Sequence, residues 1–345
     1  MKGLLKRLTP FAPDPSGVVS ALFEMGGLIA ICDAGGCTGN VCGFDEPRWF
    51  TMRSAVFSTG MRDMDAILGR DNLLVDKIVS AQESVKAPFA VLVGTPVPAV
   101  IATDFKALRR MAEKRTSVPV LTVESTGVNY YDKGASKAYE MLFDTFACEK
   151  LPVDETSVGV IGATPLDFSS CNAGVHLAAA IGGRAKVYGM GSGLDEVARA
   201  SENVLNLVVS PSGIAAAKLL EKRFGTPWKM ACPWIPEEVE KSFSALQGKR
   251  VIVVHQQIAA CAVREKLLAS GVSEAAVATY FMTDSSLAKE SDRKLKEEND
   301  LAAFVQEFKA DVVIADRNFK KVLPGFEGEF IDFPHFAVSG RLLEQ

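Results

Sequence analysis

The sequence has no basic excess, no long apolar run and no apolar stretch of signal-peptide length among its first ten residues, and each observation makes one class of protein unexpected. Its 38 lysines and arginines are outnumbered by 42 aspartates and glutamates, which leaves a formal net charge of -4. Proteins that bind nucleic acid usually show a basic stripe, so nucleic acid is not an expected partner. No apolar run reaches the roughly 18 residues that a membrane helix needs. The first ten residues have no apolar stretch of signal-peptide length, so we expect a cytoplasmic protein that contacts no membrane.

Two further absences concern cofactors. The seven cysteines form none of the Cys-x₂-Cys pairs typical of zinc sites and ferredoxins. In a reducing compartment we expect them to be buried thiols or metal ligands, not disulfides. No nucleotide phosphate loop occurs, and the glycines of 189–193 do not have the spacing of a dinucleotide fingerprint. We interpret that segment as a tight turn, and we expect no direct binding of ATP or nicotinamide.

Short apolar runs that end in turns recur along the chain, with amphipathic stretches between them. Apolar runs of this kind are strands buried on both faces, as in parallel sheets covered by helices. We therefore predict an α/β protein with three Rossmann-like, doubly wound parallel-sheet domains and a cleft between them. The predicted domains are 1–150, which carries a cysteine-rich loop, 151–245 and 246–345. The predicted strands are Leu28–Ile31, Phe89–Val93, Val118–Val123, Ser157–Ile161, Ala185–Tyr188, Val204–Val209, Arg250–Val254 and Asp311–Ile314, and the predicted helices are Ala107–Lys114, Asp195–Asn203 and Ala259–Ser270.

Residues 26–50 contain three cysteines at five-residue intervals, Cys32, Cys37 and Cys42, in a glycine-rich turn after an apolar strand. Thiols at one strand end suit a soft metal, above all an iron–sulfur cluster. The amides of Gly35 and Gly36 could donate hydrogen bonds to sulfur or to an anion. The alternative is that Cys32 ends a buried strand and Cys42 packs on a helix.

Geometry ranks these three thiols as metal ligands. Five helical residues separate two side chains by about 140°, so Cys42 can join Cys37 only if the stretch between them is a loop. Cys32 can join only if the strand ends before it. The predicted order is Cys37, then Cys42, then Cys32.

Candidates for proton transfer are His255, which ends a strand, and His335, which lies in a Phe-Pro-His loop. Cys232 lies on a loop between two domains, where clefts form, and is a third catalytic candidate. Each has a structural alternative, because histidine and cysteine are also common packing residues. Cys171 and the Tyr130–Tyr131 pair are weaker candidates for lining the same cleft, and Cys148 and Cys261 are expected in the core.

Several segments, in order along the chain, resemble the nitrogenase component 1 family. Cys32 to Cys37 resembles that family's His-Gly-Pro-x-Gly-Cys motif, keeping only the Gly-Cys end. The stretch 57–69 resembles its Ser/Thr-x-x-Leu-x-Glu-x-Asp-x-Ile-x-Gly segment, and Thr95-Pro96 resembles its Cys-Pro loop. Similar matches follow at 124–127, 205–227 and 310–335, so the resemblance covers most of the chain from about residue 15.

The resemblance implies a nitrogenase-like oxidoreductase subunit that reduces a small molecule. An ATP-dependent iron-protein reductase would supply low-potential electrons. They would enter this chain through a [4Fe–4S] iron–sulfur cluster at the subunit interface. The chain would pair with itself or with a homologous subunit through residues 26–50, and Asp45, Glu46 and Arg48 would contact the reductase. Two alternatives are a cofactor-assembly scaffold that binds a metal cluster and a non-catalytic partner subunit.

The sequence departs from the family pattern at two of three cysteine positions. Where relatives carry a cysteine near the N-terminus, this chain has residues 13–16, Pro-Asp-Pro-Ser. Where they carry one in the Cys-Pro loop, it has Thr95. Only Cys37 matches, so a double cluster is not expected, and the alternative of a partner subunit stays open.

Overall fold

A computed structural model of the chain describes residues 5–170, 172–232 and 234–337. Within them lie three α/β domains, each built on its own sheet, and every strand pairing within these sheets is parallel. This confirms the predicted fold class. Among the helices of these segments, none combines the length and apolar character of a membrane span.

The first domain has a four-stranded sheet in the order β2-β1-β3-β4. Ile29 of the central strand lies opposite Val56 on one side and Val91 on the other. The strands are β1 (Leu28–Ile31), β2 (Ala55–Ser58), β3 (Ala90–Val93) and β4 (Val120–Val123). The helices are α1 (Asp14–Leu22), α2 (Gly36–Asn40), α3 (Asp63–Leu68), α4 (Asp71–Val85), α5 (Pro96–Val100), α6 (Phe105–Thr116) and α7 (Tyr131–Phe146), with a π-helical turn at Val41–Asp45 and a 3₁₀ turn at Pro47–Phe50.

The second domain has a four-stranded sheet and the third a five-stranded one, in the orders β6-β5-β7-β8 and β11-β10-β9-β12-β13. The second contains β5 (Asp154–Ile161), α8 (Asn172–Ala179), β6 (Arg184–Val187), α9 (Leu194–Ala198), β7 (Asn203–Val208), α10 (Ile214–Phe224) and β8 (Trp228–Met230). The third contains α11 (Glu237–Ser242), β9 (Arg250–Val254), α12 (Gln257–Ala269), β10 (Glu274–Thr279), β11 (Arg293–Lys294), α13 (Glu298–Phe308), β12 (Val312–Ala315) and β13 (Glu329–Asp332).

The predicted strands all correspond to observed ones, and β1 and β9 match at both ends. The helix predicted at Asp195–Asn203 is shorter, because α9 ends at Ala198 and a 3₁₀ turn, Ala200–Glu202, follows. Strands β8, β11 and β13 have no fully buried residue, and so they lack the continuous apolar run that marks the central strands.

Helices α1 and α7 cross at two glycines. A Cβ atom added to Gly17 would lie 1.8 Å from the carbonyl oxygen of Tyr131, and one added to Gly134 would lie 1.9 Å from that of Asp14. Only glycine allows the two backbones to approach this closely. The crossing fixes the N-terminal end of α7, which points toward the other two domains.

The N-terminal segment packs on the third domain, although the chain then enters the first. The amides of Lys6, Arg7 and Leu8 donate to Glu298 Oε1 at 2.6–2.8 Å. Phe11 packs edge-on against Phe281 with ring centroids 5.0 Å apart. This long-range contact ties the first and third domains together. The domain limits predicted from sequence remain a proposal.

Candidate functional site

The cysteine-rich segment begins where β1 leaves the sheet. The Cys32 amide donates to the Val93 carbonyl at 2.9 Å, so strand pairing extends to this residue although β1 itself ends at Ile31. The Cys32 side chain has no exposed surface. Burial, with a smaller contribution from Asp33, raises the pKa of its thiol to about 12.

Asp33 organises the turn that follows. Its carboxylate accepts hydrogen bonds from the Thr38 amide at 2.8 Å and from the hydroxyls of Thr38 and Ser58 at 3.0 and 2.6 Å. A carboxylate that accepts an amide of the first helical turn stabilises the start of that helix. Gly35, with φ of 114°, supplies the left-handed conformation that lets α2 begin at Gly36.

Cys37 is half-buried at the start of α2 and lies beside Thr95, which follows β3. The Thr95 hydroxyl donates to the Cys32 carbonyl at 2.7 Å. Burial and the charge of Asp33 raise the pKa of the Cys37 thiol, while the hydrogen bond with Thr95 lowers it. Of the three cysteines in this loop, Cys37 is the one that is half-buried, whereas Cys32 and Cys42 are buried.

Cys42 lies in the π-helical turn and packs into the apolar core of the first domain. The stretch between Cys37 and Cys42 is helical, with α2 covering Gly36–Asn40. The condition stated above for joint ligation by these two cysteines, a loop between them, is therefore not met in this structure. Burial raises the pKa of the Cys42 thiol to about 11.

The glycines of this loop face open space in the part of the chain that the structure describes. A Cβ atom added at Gly36, Gly39 or Gly43 would meet no atom within 4 Å. Large apolar side chains nearby are exposed as well: Phe44, Trp49, Phe50, Met52 and Phe57. An open groove of about 630 Å³ beside them is lined by Phe23, Met52, Phe57 and the 191–193 turn. A grouping of exposed apolar residues of this kind is typical of a protein interface.

The charged residues that follow do not contribute to that surface. Asp45, Glu46 and Arg48, expected to contact a reductase, are buried. Arg48 donates to Glu46 at 2.7 Å, to Glu24 at 2.6 Å and to the Gly189 carbonyl at 2.6 Å. The prediction of rim charges is therefore wrong. Arg48 pairs with Glu46 and Glu24 and joins the first domain to the second, and Asp45 accepts hydrogen bonds from Ser16 and Asn40.

The 189–193 segment is a tight turn, as predicted. Gly189 and Gly191 have positive φ angles of 94° and 91°. The Gly191 amide donates to Glu24 Oε2 at 2.7 Å. In a dinucleotide-binding turn such an amide would donate to a phosphate, whereas here the Glu24 carboxylate accepts it.

A second polar site lies where the three domains meet, and we call Tyr131, Asp167, His255 and His335 the junction cluster. The Tyr131 hydroxyl lies 2.5 Å from Asp167 Oδ1 and 3.2 Å from His335 Nε2. Tyr131 begins α7, Asp167 follows β5 and His335 follows β13. All four side chains are buried.

The structure brings both predicted histidines into this cluster. The His255 and His335 ring centroids are 4.4 Å apart, and His335 stacks on Phe281 at 4.6 Å. His255 Nε2 lies 3.1 Å from the Pro334 carbonyl and so donates to it. Burial lowers the pKa of His255 to about 4, so its imidazole is neutral at pH 7.

Asp167 is the residue that the sequence analysis missed. Burial raises the pKa of its carboxyl to about 7, against the opposing effect of the Tyr131 hydrogen bond. Its Oδ2 atom is buried and makes no hydrogen bond to the described residues. The available signal was a lone acid in an apolar segment, 165–168, shortly after a core strand.

The remaining cysteines lie in other places. Cys232 is half-buried against the third domain's core, its Sγ 3.2 Å from the Trp234 carbonyl oxygen, and burial raises the pKa of its thiol to about 11. Cys261 is buried as predicted, but Cys148 is exposed because it follows the end of α7. Cys171 lies outside the described residues. Among residues 5–170, 172–232 and 234–337, no three His, Cys, Asp or Glu side chains converge on a possible metal position.

Comparison with known proteins gives a consistent result. The sequence model of the family described as Nitrogenase component 1 type Oxidoreductase matches residues 14–246. Two similar solved structures are described as Nitrogenase Cp1, at pH 6.5 and at pH 5. The first has 13% identity and a TM-score of 0.72 over 96% of this chain and 87% of that one. The second has 16% identity and a TM-score of 0.69 over 98% and 85%. No curated protein matches the sequence.

Proposed function

Since the chain belongs to the family of nitrogenase component 1 type oxidoreductases, we propose that it is a redox subunit that reduces a small molecule. We propose that low-potential electrons enter through a [4Fe–4S] cluster at a subunit interface, with Cys37 as its ligand from this chain. The observation that supports this proposal is the position of Cys37, which is half-buried at the start of α2 on a loop flanked by exposed apolar side chains.

The donor set of one chain fits such a cluster only in part. A [4Fe–4S] cluster takes four thiolates, whereas Cys32 and Cys42 are buried and only Cys37 is half-buried. A second subunit must therefore supply ligands. A two-fold contact would place equivalent loops together, so a homodimer or a pair with a homologous chain is the proposed assembly. Cys42 and then Cys32 would serve only after a local rearrangement.

The chain's own residues would then bind and orient the ligand. The Gly35 and Gly36 amides lie at the start of α2, where they could donate to a cluster sulfur. Thr95, beside Cys37, occupies the position at which relatives carry a cysteine, and its hydroxyl fixes the carbonyl before the turn. The cluster, when bound, would supply single low-potential electrons.

Proton transfer is the proposed role of the junction. The proposed catalytic side chains are those of His335 and His255. Cys232, on the loop between the second and third domains, is the third proposed catalytic residue. The observation that favours His335 is its hydrogen bond with a buried tyrosine and carboxyl group. The proposed electron donor is a separate ATP-dependent iron protein, and the proposed compartment is the cytoplasm.

Metal analysis of anaerobically purified protein tests the proposal. We expect iron and sulfide in equal amounts and a visible iron–sulfur absorption band. Cys37→Ser should abolish the band and leave the fold, measured by circular dichroism, unchanged. Cys148→Ser is the matched control, because this thiol is exposed but distant in the sequence from the loop. A band that survives Cys37→Ser contradicts the assignment.

The substitution Thr95→Cys provides a gain-of-ligand test. It places a second thiol beside Cys37, so that a symmetric dimer would offer four. If a homodimer of the natural chain offers too few thiolates to hold a cluster, we expect the iron content per dimer to rise toward that of a full [4Fe–4S] cluster. No change in iron content would indicate that Thr95 does not face the cluster.

The second candidate function is a scaffold or a non-catalytic partner subunit. The burial of Cys32 and Cys42 favours it, because a companion chain would then supply most ligands. Assays with the reductase, ATP and dithionite separate the candidates. A redox subunit is reduced within the assay and reoxidised by substrate, whereas a scaffold keeps its metal without turnover.

A further inference from the structure

Residues 5–13, which we call the strap, lie outside the helices and strands of the described chain and run along the third domain to the start of α1. The amides of Lys6, Arg7 and Leu8 all donate to one atom, Oε1 of Glu298, at 2.6–2.8 Å. Glu298 is the first residue of α13, and its side chain is buried. One carboxylate oxygen therefore anchors three consecutive amides, and its loss would free this end of the strap.

The strap has an inner and an outer side. Leu8, Phe11 and Ala12 are buried against the rest of the chain, whereas Lys6 and Arg7 are exposed. Among the described residues, the strap belongs to none of the three sheets, so no strand ladder holds it along its length. Segments held in this way open locally, ahead of the core strands.

Phe11 is the inner side chain that reaches the junction cluster. Its ring packs on Phe281 with the centroids 5.0 Å apart, and Phe281 in turn stacks on His335 at 4.6 Å. The rings of Phe11 and His335 themselves meet edge to face at 6.3 Å. Because Phe11 is 4% exposed and His335 is 1% exposed, the strap forms part of the cover of the junction cluster.

We propose that the strap is a lid over the junction cluster and that Glu298 is the catch that holds it closed. When the three amides leave Glu298, Phe11 withdraws from Phe281 and the His335 ring becomes accessible to water and to small reagents. The motion breaks hydrogen bonds and ring contacts only. It needs neither iron nor an electron donor, so the lid can be tested whether or not the protein is a redox subunit.

The start of α1 stays in place when the lid opens. The Asp14 carboxylate accepts the amides of Thr126 and Gly127 at 3.1 and 2.7 Å. Gly134 on α7 brings the two helix backbones into contact at the Asp14 carbonyl. These contacts lie within the first domain, so they survive separation of the strap from the third domain. The strap therefore moves about the residues just before Asp14.

Hydrogen exchange and histidine modification of the full-length protein test the lid. In the wild type, we expect the strap amides to exchange faster than those of β9. In Glu298→Ala, the amides of residues 6–8 should exchange about 10- to 100-fold faster, because they lose hydrogen bonds to a charged group. Diethyl pyrocarbonate should modify His335 faster by a similar factor, because both rates report one opening. Glu307→Gln, at an exposed carboxylate on the same helix, should match the wild type.

A second variant separates the lid from any effect on α13. Phe11→Ala removes the cover but leaves Glu298 and the start of α13 unchanged, and it should also speed the modification of His335. The exposed His176 is the internal reference, because its modification needs no opening. If Phe11→Ala does not fold, Glu298→Gln, which keeps the size of the side chain and removes its charge, replaces it.

The urea dependence of the modification distinguishes the lid from unfolding of the whole chain. Local opening exposes little surface, so low urea should hardly change the rate at which wild-type His335 is modified. A steep rise with the slope of global unfolding would overturn the lid. So would a wild-type rate of His335 modification in both Glu298→Ala and Phe11→Ala, or strap amides that exchange as slowly as those of β9.

Discussion

The cysteine loop of the first domain and the junction cluster both lie at carboxyl ends of parallel strands, yet their surroundings are opposite. The loop presents glycines that face open space among the described residues, and exposed aromatic rings lie nearby. The junction is closed, aromatic and hydrogen-bonded, with contributions from all three domains. We infer that the loop is completed by another molecule, whereas the junction is completed within the chain.

The two regions also differ in how their buried charged groups are stabilised. Below the open loop, the buried Arg48 is shared by two carboxylates, those of Glu24 and Glu46. At the junction, Asp167 is buried near another carboxyl group, that of Asp132, and burial raises the pKa of Asp167 to about 7. The first arrangement joins the first and second domains through an ion-pair network, and the second changes with pH.

The largest expected effect comes from removing the buried cation beneath the loop. Arg48→Ala leaves Glu46 and Glu24 without their partner, and we expect the free energy of unfolding to fall by about 3–5 kcal/mol. Urea denaturation measures this. Arg53→Ala, at an exposed arginine of the same segment, should change stability little. Equal effects of the two substitutions would show that the Arg48 network is not structural.

Two glycine substitutions compare a tightly packed site with the open loop. Gly134→Ala forces a methyl group against the Asp14 carbonyl, and we expect a loss of about 3 kcal/mol in unfolding free energy. Gly39→Ala, where a methyl group meets nothing, should leave stability unchanged or slightly raised. The same denaturation experiment serves both. Comparable losses of unfolding free energy at the two positions would show that the loop is packed as tightly as the helix crossing.

The pH dependence of stability tests the junction. Unfolded, Asp167 ionises near pH 3.9, and folded it does so near pH 7. The unfolded state therefore loses this proton first as the pH rises, so the free energy of unfolding falls between about pH 4 and pH 7 and is flat above. Asp167→Asn removes that fall, and at pH 7.5 we expect it to be more stable than the wild type by about 2 kcal/mol.

Urea titrations at pH 5 and pH 7.5 check this expectation. Glu140→Gln, at an exposed carboxyl group on the same helix as Tyr131, is the control and should follow the wild type at both values. If Asp167→Asn is less stable than the wild type at pH 7.5, the ionised carboxylate stabilises the folded state. That result would contradict the raised pKa expected for a buried carboxyl group.

The smallest effect on stability is expected on the open surface. Phe50→Ser should change the free energy of unfolding by less than about 0.5 kcal/mol, because the ring is largely exposed. It should nevertheless weaken self-association or binding of a homologous subunit, as measured by sedimentation velocity. Leu268→Ser, at an exposed position on α12, is the control. Unchanged association would place the interface elsewhere.

Most of the internal strands were predictable because burial on both faces imposes an unbroken apolar run. β1 and β9 are recovered at both ends, and His255 directly follows β9. The internal strand β10 was not predicted, although five of its six residues are buried. The α2 helix was not predicted, because a glycine-rich segment has low helix propensity; Asp33 stabilises it from the preceding turn. Strands such as β13 have no buried residue, so their sequence lacks the apolar run that distinguishes a strand from a loop.

The sequence by itself determined the parallel α/β architecture, the placement of Cys37 after the first strand and the family resemblance. These follow from local patterns: apolar runs, turn residues and motifs in order. Only the tertiary structure decided that Cys32 and Cys42 are buried, that Asp45, Glu46 and Arg48 are buried as well, and that Asp167 meets Tyr131 and His335. The physical reason is that burial, charge pairing and hydrogen bonding depend on groups far apart in the chain, 36 and 204 residues in the case of the junction.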